Sequence, residues 1–204
     1  MIQPFLLDAY PPAAIGWMAI AAGVAGFAAL ALAVLCFLLG RPFGRMDDKL
    51  VGLAALLSAA LSMLLFPQLR AQDPQSAWAG LTLALVGGFV AAFGSVLADT
   101  GTATWFRAQL YVAAGNALIG IWLIMLNRSR GAVDALPNGV VTVGLFAGAV
   151  MALGIAAIPG ILSGGDTEQS APWISRHVGR AGNLGALVLY PLWCIWLGRT
   201  LLRF

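Results

Sequence analysis

The chain has 204 residues, 61% of them hydrophobic and only 9% charged, with a formal net charge of +3 and a mean hydropathy of +0.91. Eleven Lys and Arg and eight Asp and Glu cannot coat a soluble domain, in which about a quarter of residues are charged. The cationic excess lies beside apolar blocks and fits anionic lipid headgroups, while the absence of basic clusters with interleaved aromatics argues against a nucleic-acid partner.

A helix needs about 20 apolar residues to cross the hydrocarbon core, and six blocks meet that length: 13–39, 50–69, 76–98, 104–126, 138–162 and 180–202. The blocks are continuous and rich in Ala, Leu and Gly. They lack the alternation of barrel strands, so helices satisfy the backbone within each span. The expectation is an all-α, polytopic membrane protein forming one transmembrane domain over 1–204, in a cell membrane.

The opening segment, "MIQPFLLDAYPPAAIGW", lacks a basic region before the first block, and that block is longer than a signal-peptide core. It reads as a retained first helix. Span one carries Ala21, Ala25, Ala29 and Ala33 at four-residue spacing and holds Cys36; the second cysteine, Cys194, lies in span six. With no CxxC partner, both read as small apolar side chains.

The joint "GRPFGRMDDK" follows, with Arg41, Arg45 and Lys49. The positive-inside rule, weighted to the first helix, predicts that this joint is cytoplasmic and both termini are not. Over the whole chain the balance is closer: Arg107, Arg176 and Arg180 join that side, and Arg70, Arg128, Arg130, Arg199 and Arg203 stand opposite.

Span three repeats small residues at Gly80, Ala84, Gly88 and Ala92, and ends "GSVLADT" before "WFR" opens span four. Span five repeats them at Gly144, Gly148, Ala152, Ala156 and Gly160, and ends "GILSGGDT" before "WISR". Each following span carries "AGN", ending at Asn116 or Asn183, and then "IWL". This is a degenerate helix-hairpin repeat, of which spans one and two form a weaker third copy. Equal topology sets all three hairpin loops on one membrane face. The small-residue ladders predict close seams, with helices one, three and five central and two, four and six outside.

Asp99 and Asp166 close helices where Arg107, Arg176 and Arg180 open others. Both placements oppose the helix dipole, so cross-loop pairing of Asp with Arg offsets the penalty. Asn116 and Asn183 are amides inside spans and need partners; Gln109 and Tyr111 stand close enough in sequence to share a pocket with Asn116. His177 falls in a loop between two arginines. The nine candidate ligand-binding residues are therefore Asp99, Arg107, Gln109, Asn116, Asp166, Arg176, His177, Arg180 and Asn183. The seven tryptophans read as interfacial belts, and Pro159 and Pro191 read as kinks.

One histidine provides neither paired haem ligands nor a metal set, and no nucleophile–base or phosphate-loop pattern is present, so no catalytic residue, metal or cofactor is expected. The function that fits is a non-enzymatic integral membrane protein that binds membrane lipids or associates with other membrane subunits, or with itself. One alternative is a small-solute transporter or channel built by oligomerisation. Another is a lipid-modifying enzyme at the charged loop face.

Overall fold

The structure, a computed structural model, describes residues 10–39, 42–129 and 136–203, with 42–45 described in backbone only. Arg41, Arg130 and the Arg45 side chain, which enter the charge balance above, lie outside the described residues.

Six helices among these are long and apolar enough to cross a membrane. They are α1 (Pro12–Leu39), α2 (Pro42–Arg70), α3 (Pro74–Thr100), α4 (Trp105–Arg128), α5 (Asn138–Leu162) and α6 (Trp173–Leu201). At 1.5 Å rise per residue they run about 36–44 Å, longer than a hydrocarbon core of about 30 Å. Their polar end turns therefore project into the headgroup region.

The ends follow local chemistry. Asp73 caps α3 by accepting from the Ser76 amide at 3.2 Å, and Pro74 occupies the first turn, where its missing N–H costs nothing. Gly101 ends α3 in the left-handed region at φ 67°, which favours glycine. Thr104 then caps α4 by accepting from the Arg107 amide at 3.3 Å. The sixth helix starts at Trp173, earlier than the expected residue 180. Its first turn is docked by Ser175, whose Oγ donates to the Ala156 carbonyl at 2.7 Å. Arg176, His177 and Arg180 consequently ride on helix, not in a loop.

The helices pack in chain order, α1 on α2, α2 on α3, and so on, and the second half of α6 returns to α1, closing a ring. The first half of α6 leans instead on α4 and α5, so α1 and α6 part toward the loop face, the end bearing the three hairpin loops. The expected division into central odd and outer even helices does not hold. In α4, 61% of the spanning window is buried, against 28% in α1 and 33% in α3. The reason lies in the glycines of α4, which let it approach neighbours on two sides. A Cβ at Gly115 would strike Ala91 and Gly87 of α3, and one at Gly120 would lie 2.6 Å from Met151 Cβ of α5.

The α5 ladder is a real seam. A Cβ at Gly148 would sit 2.7 Å from the Gly120 carbonyl, and one at Gly144 would collide with the Asn127 amide. In α3, Gly88 meets Ala55 and Ala59 of α2, whereas Gly80 faces Trp122. The α1 ladder is not a seam as written, because Ala21 is exposed. The close approach there uses Gly16, Gly23 and Gly26, set against Gly198, Ile195 and Pro191 of α6.

Both prolines alter their helices locally. A 3₁₀ turn over Leu153–Ala157 precedes Pro159, and a π segment over Gly185–Leu189 precedes Pro191. These are the adjustments by which a membrane helix absorbs a missing backbone donor.

The main core sits away from the loop face. Trp122 and Trp193, 1% and 0% exposed, meet edge-to-face with centroids 6.5 Å apart. Ile15, Leu61, Leu123, Val140 and Leu197 surround them. These two indoles are core, not belt; Trp17, Trp78, Trp105, Trp173 and Trp196 are exposed.

Candidate functional site

At the loop face, contacts tie all three hairpins together. Lys49 Nζ, at the start of α2, lies 3.7 Å from Asp99 Oδ1 at the end of α3. Arg107 Nη1, at the start of α4, lies 3.2 Å from Asp166 Oδ1, just after α5, and Thr104 Oγ1 donates to the Asp166 carbonyl at 2.7 Å. Each acid thus latches to a base on the preceding hairpin. Asp166 pairs with Arg107 of the preceding hairpin and not with Arg176 or Arg180 across its own loop, and Asp99 pairs with a lysine. Arg180 pairs with Glu168 inside its own hairpin, and Arg176 makes no ion pair among the described residues. These pairs are partly exposed, so each contributes little on its own.

The repeated tryptophans, Trp105 and Trp173, occupy the first position of α4 and of α6 and are similarly exposed. His177 is exposed on the second turn of α6. Tyr111 packs edge-to-face on Phe93 at 5.7 Å in a shallow outer groove of about 640 Å³ that also holds Thr104, Arg107 and Asp166. It does not join Asn116.

Asn116 instead lines a small cavity of about 30 Å³ inside the bundle, to which α1, α2, α4, α5 and α6 contribute. Gln109, seven residues earlier, lies two helical turns away on the same face of α4. Asn183 lies one turn before Ala186 and Leu187, which also line this cavity. The candidates therefore divide: Asp99, Arg107, Asp166, His177 and Arg180 belong to the loop surface, while Gln109, Asn116 and Asn183 follow the bundle axis. Arg176, seven residues before Asn183, continues the axial stripe toward the loop face.

A second groove, of about 540 Å³, opens at the opposite face between α3, α4 and the α2–α3 turn. Leu69, Gly80, Trp122 and Met125 floor it; Asp73, Ser76 and Arg128 stand at its rim. Asp73 also accepts from Ser76 Oγ at 2.5 Å. Hydrogen bonds from that hydroxyl and from the Ser76 amide hold the Asp73 carboxyl below its ordinary pKa, so it is anionic at neutral pH. Arg128 is in the last turn of α4, where the helix dipole favours a cation, and it makes no ion pair among the described residues.

Sequence reading missed this groove because its polar members are ordinary end-of-helix residues: a cap, a serine in the first turn and a terminal arginine. It also missed Asn127, which is fully buried and donates from Nδ2 to the Leu123 carbonyl at 2.9 Å. No group of three or more His, Cys, Asp or Glu placed to hold a metal occurs among the described residues. Comparison with protein-family models, curated proteins and solved structures gives no match.

Proposed function

We propose that this integral membrane protein binds a phospholipid with an amine-bearing headgroup in the groove between α3 and α4. The observation that carries the reading is the groove's division into an apolar floor and a rim holding one anionic and one cationic side chain. Its volume falls in the range of about 300–1,000 Å³ typical of ligand pockets. An acyl chain would lie along Leu69, Trp122 and Met125. Arg128 would take the phosphate as a charge-assisted donor, and Asp73 would take the amine. The position suits this occupant, since helix ends at this level lie among headgroups.

Native mass spectrometry of protein released from mixed vesicles tests the proposal. The expected result is one retained phosphatidylethanolamine in preference to phosphatidylglycerol. A hydrogen bond to a charged group contributes about 1.5–3 kcal/mol, so Arg128→Gln should lower retention of either lipid about tenfold or more. Asp73→Asn keeps the helix cap and should abolish the preference for the amine headgroup. Equal retention of both lipids by the unaltered protein and by both variants would overturn the assignment.

A further inference from the structure

The small cavity lies on the axis of the helix ring, remote from the lipid groove. Val51, Ser58, Asn116, Ile119, Leu187 and Tyr190 are among its lining residues. Tyr190 is only 5% exposed, and its hydroxyl is fully buried without a hydrogen bond. Ser58, whose hydroxyl donates to the Ala54 carbonyl at 2.7 Å and keeps its lone pairs free to accept, stands beside that phenol, as does the Cys194 thiol. The wall supplied by α1 is Ala22, Gly26 and Ala29, which offers no side-chain partner. A phenol in a low-dielectric interior is strongly disfavoured without one.

Three more unpaired atoms continue from the cavity toward the loop face. Asn183 Oδ1, one turn above Leu187, is buried without a hydrogen bond. Arg176 Nε, two further turns up the same stripe of α6, is likewise buried and unpaired. On α2, Asp47 lies one turn above Val51 on the cavity-lining face, and its Oδ1 is in the same condition. Helical spacing aligns 176 with 183 on α6, and 47, 51, 54 and 58 on α2; Leu187 and Tyr190, reached through the π segment, line the cavity itself. The ring is also slackest here. No residue of α1 beyond Ala29 is buried, and Phe37 is 90% exposed.

A cavity of this size has room for one or two water molecules, since a bound water needs about 10–15 Å³ of accessible volume and two to four polar partners. Tyr190, Ser58 and Asn116 supply those partners. We infer that the bundle centre binds water, and that Asn183, Arg176 and Asp47 connect it to the loop face as a polar half-channel. The half-channel ends where Trp122 and Trp193 close the axis.

Radiolytic hydroxyl-radical footprinting of the unaltered protein in lipid nanodiscs tests the bound water directly. Radicals form from water beside the side chain, so buried Tyr190 should be oxidised at a rate within about threefold of exposed Tyr10. Ala186→Leu, which fills the cavity, should slow that oxidation at least tenfold. Tyr190 that stays unmodified, or whose oxidation is indifferent to Ala186→Leu, overturns the bound water. For the connection, Cys36 and Cys194 are replaced by alanine and Asn183→Cys is treated with a charged methanethiosulfonate on either side of proteoliposomes. Thr102→Cys marks the loop face. Modification of Asn183→Cys from the Thr102 side alone is expected. Modification from the other side, or none while Tyr190 is oxidised, overturns the half-channel.

Discussion

The two ends of the helix bundle are built differently although the same six helices run through both. Away from the loop face, Trp122, Trp193, Leu61, Leu123 and Leu197 pack together inside the ring. Toward the loop face, α1 and α6 part, weak ion pairs link neighbouring hairpins, and atoms of Asp47, Arg176 and Asn183 are buried without protein partners; at the other end Asn127 Oδ1 and Trp193 Nε1 are buried unpaired inside the packed core. Lipid gives helices no hydrophobic reason to associate, so dispersion contacts and close backbone approach must hold them.

The sharpest challenge to this contrast uses one residue type at both ends. Leu123 is fully buried at the dense end, and Leu187 borders the axial cavity. Leu→Ala in a packed core costs about 2–5 kcal/mol; with hydrocarbon as the reference solvent the lower end applies, and Leu123→Ala should lose about 2 kcal/mol in reversible unfolding from bicelles. Leu187→Ala should lose less than about 1 kcal/mol, as at a site already in contact with open space. Equal losses would mean that the two ends are packed alike.

A smaller effect concerns the seam that joins α4 to α5 between these ends. Gly148→Leu drives a side chain into the Gly120 carbonyl and Ile124, and overfilling of this kind costs about 1–3 kcal/mol. The control has to be chosen from the structure. Val150 does not serve, because it lies against α6, where a Cβ at Gly185 would fall 2.8 Å from its Cγ1. Phe146 is exposed, and Phe146→Leu should leave detergent thermal melts unchanged. Melts that fall by the same amount for both variants would show that contact at Gly148 is not limiting.

The smallest effect is at the latch. Asp166→Asn and Arg107→Gln, alone and combined, should give a coupling of about 0–1 kcal/mol at low salt, because both side chains are partly solvated. The coupling should fade at high salt, where exposed pairs are screened. Coupling well above that range would place the latch in a drier setting than its exposure implies.

The sequence disclosed the fold through length and composition, since six apolar blocks in short succession leave a chain few other solutions in hydrocarbon. The hairpin repeat was legible for a related reason: Asp, Thr, Trp and Arg are rare enough in this chain for their recurrence to stand out. Pairing partners were not legible. Asp166 meets Arg107 and Asp99 meets Lys49 only because neighbouring hairpins are side by side in a ring, and nothing local to either loop encodes that. The two buried tryptophans escaped for the opposite reason. Near a span end, Trp122 and Trp193 carry the same pattern as Trp17 or Trp196, and only the crossing of α4 and α6 decides which faces inward. Asn116 and Asn183 were conspicuous as amides in apolar runs, whereas Tyr190 and Ser58, which share the axis with them, are types that membrane helices carry freely.

Ring closure has a consequence for the order of the helices along the chain. Gly16 and Gly198 meet backbone to backbone, with Leu202 beside them, so the first turns of α1 and the last turns of α6 are neighbours at one face. The six neighbour interfaces then run between helices adjacent around a circle, the α1–α6 one among them, and α4 meets α6 across it. The architecture is indifferent to its point of entry. A circularly permuted chain that joined the end of α6 to the start of α1 and opened between α2 and α3 would keep the six neighbour interfaces and the α4–α6 crossing, with the connection across Gly16 and Gly198 made covalent.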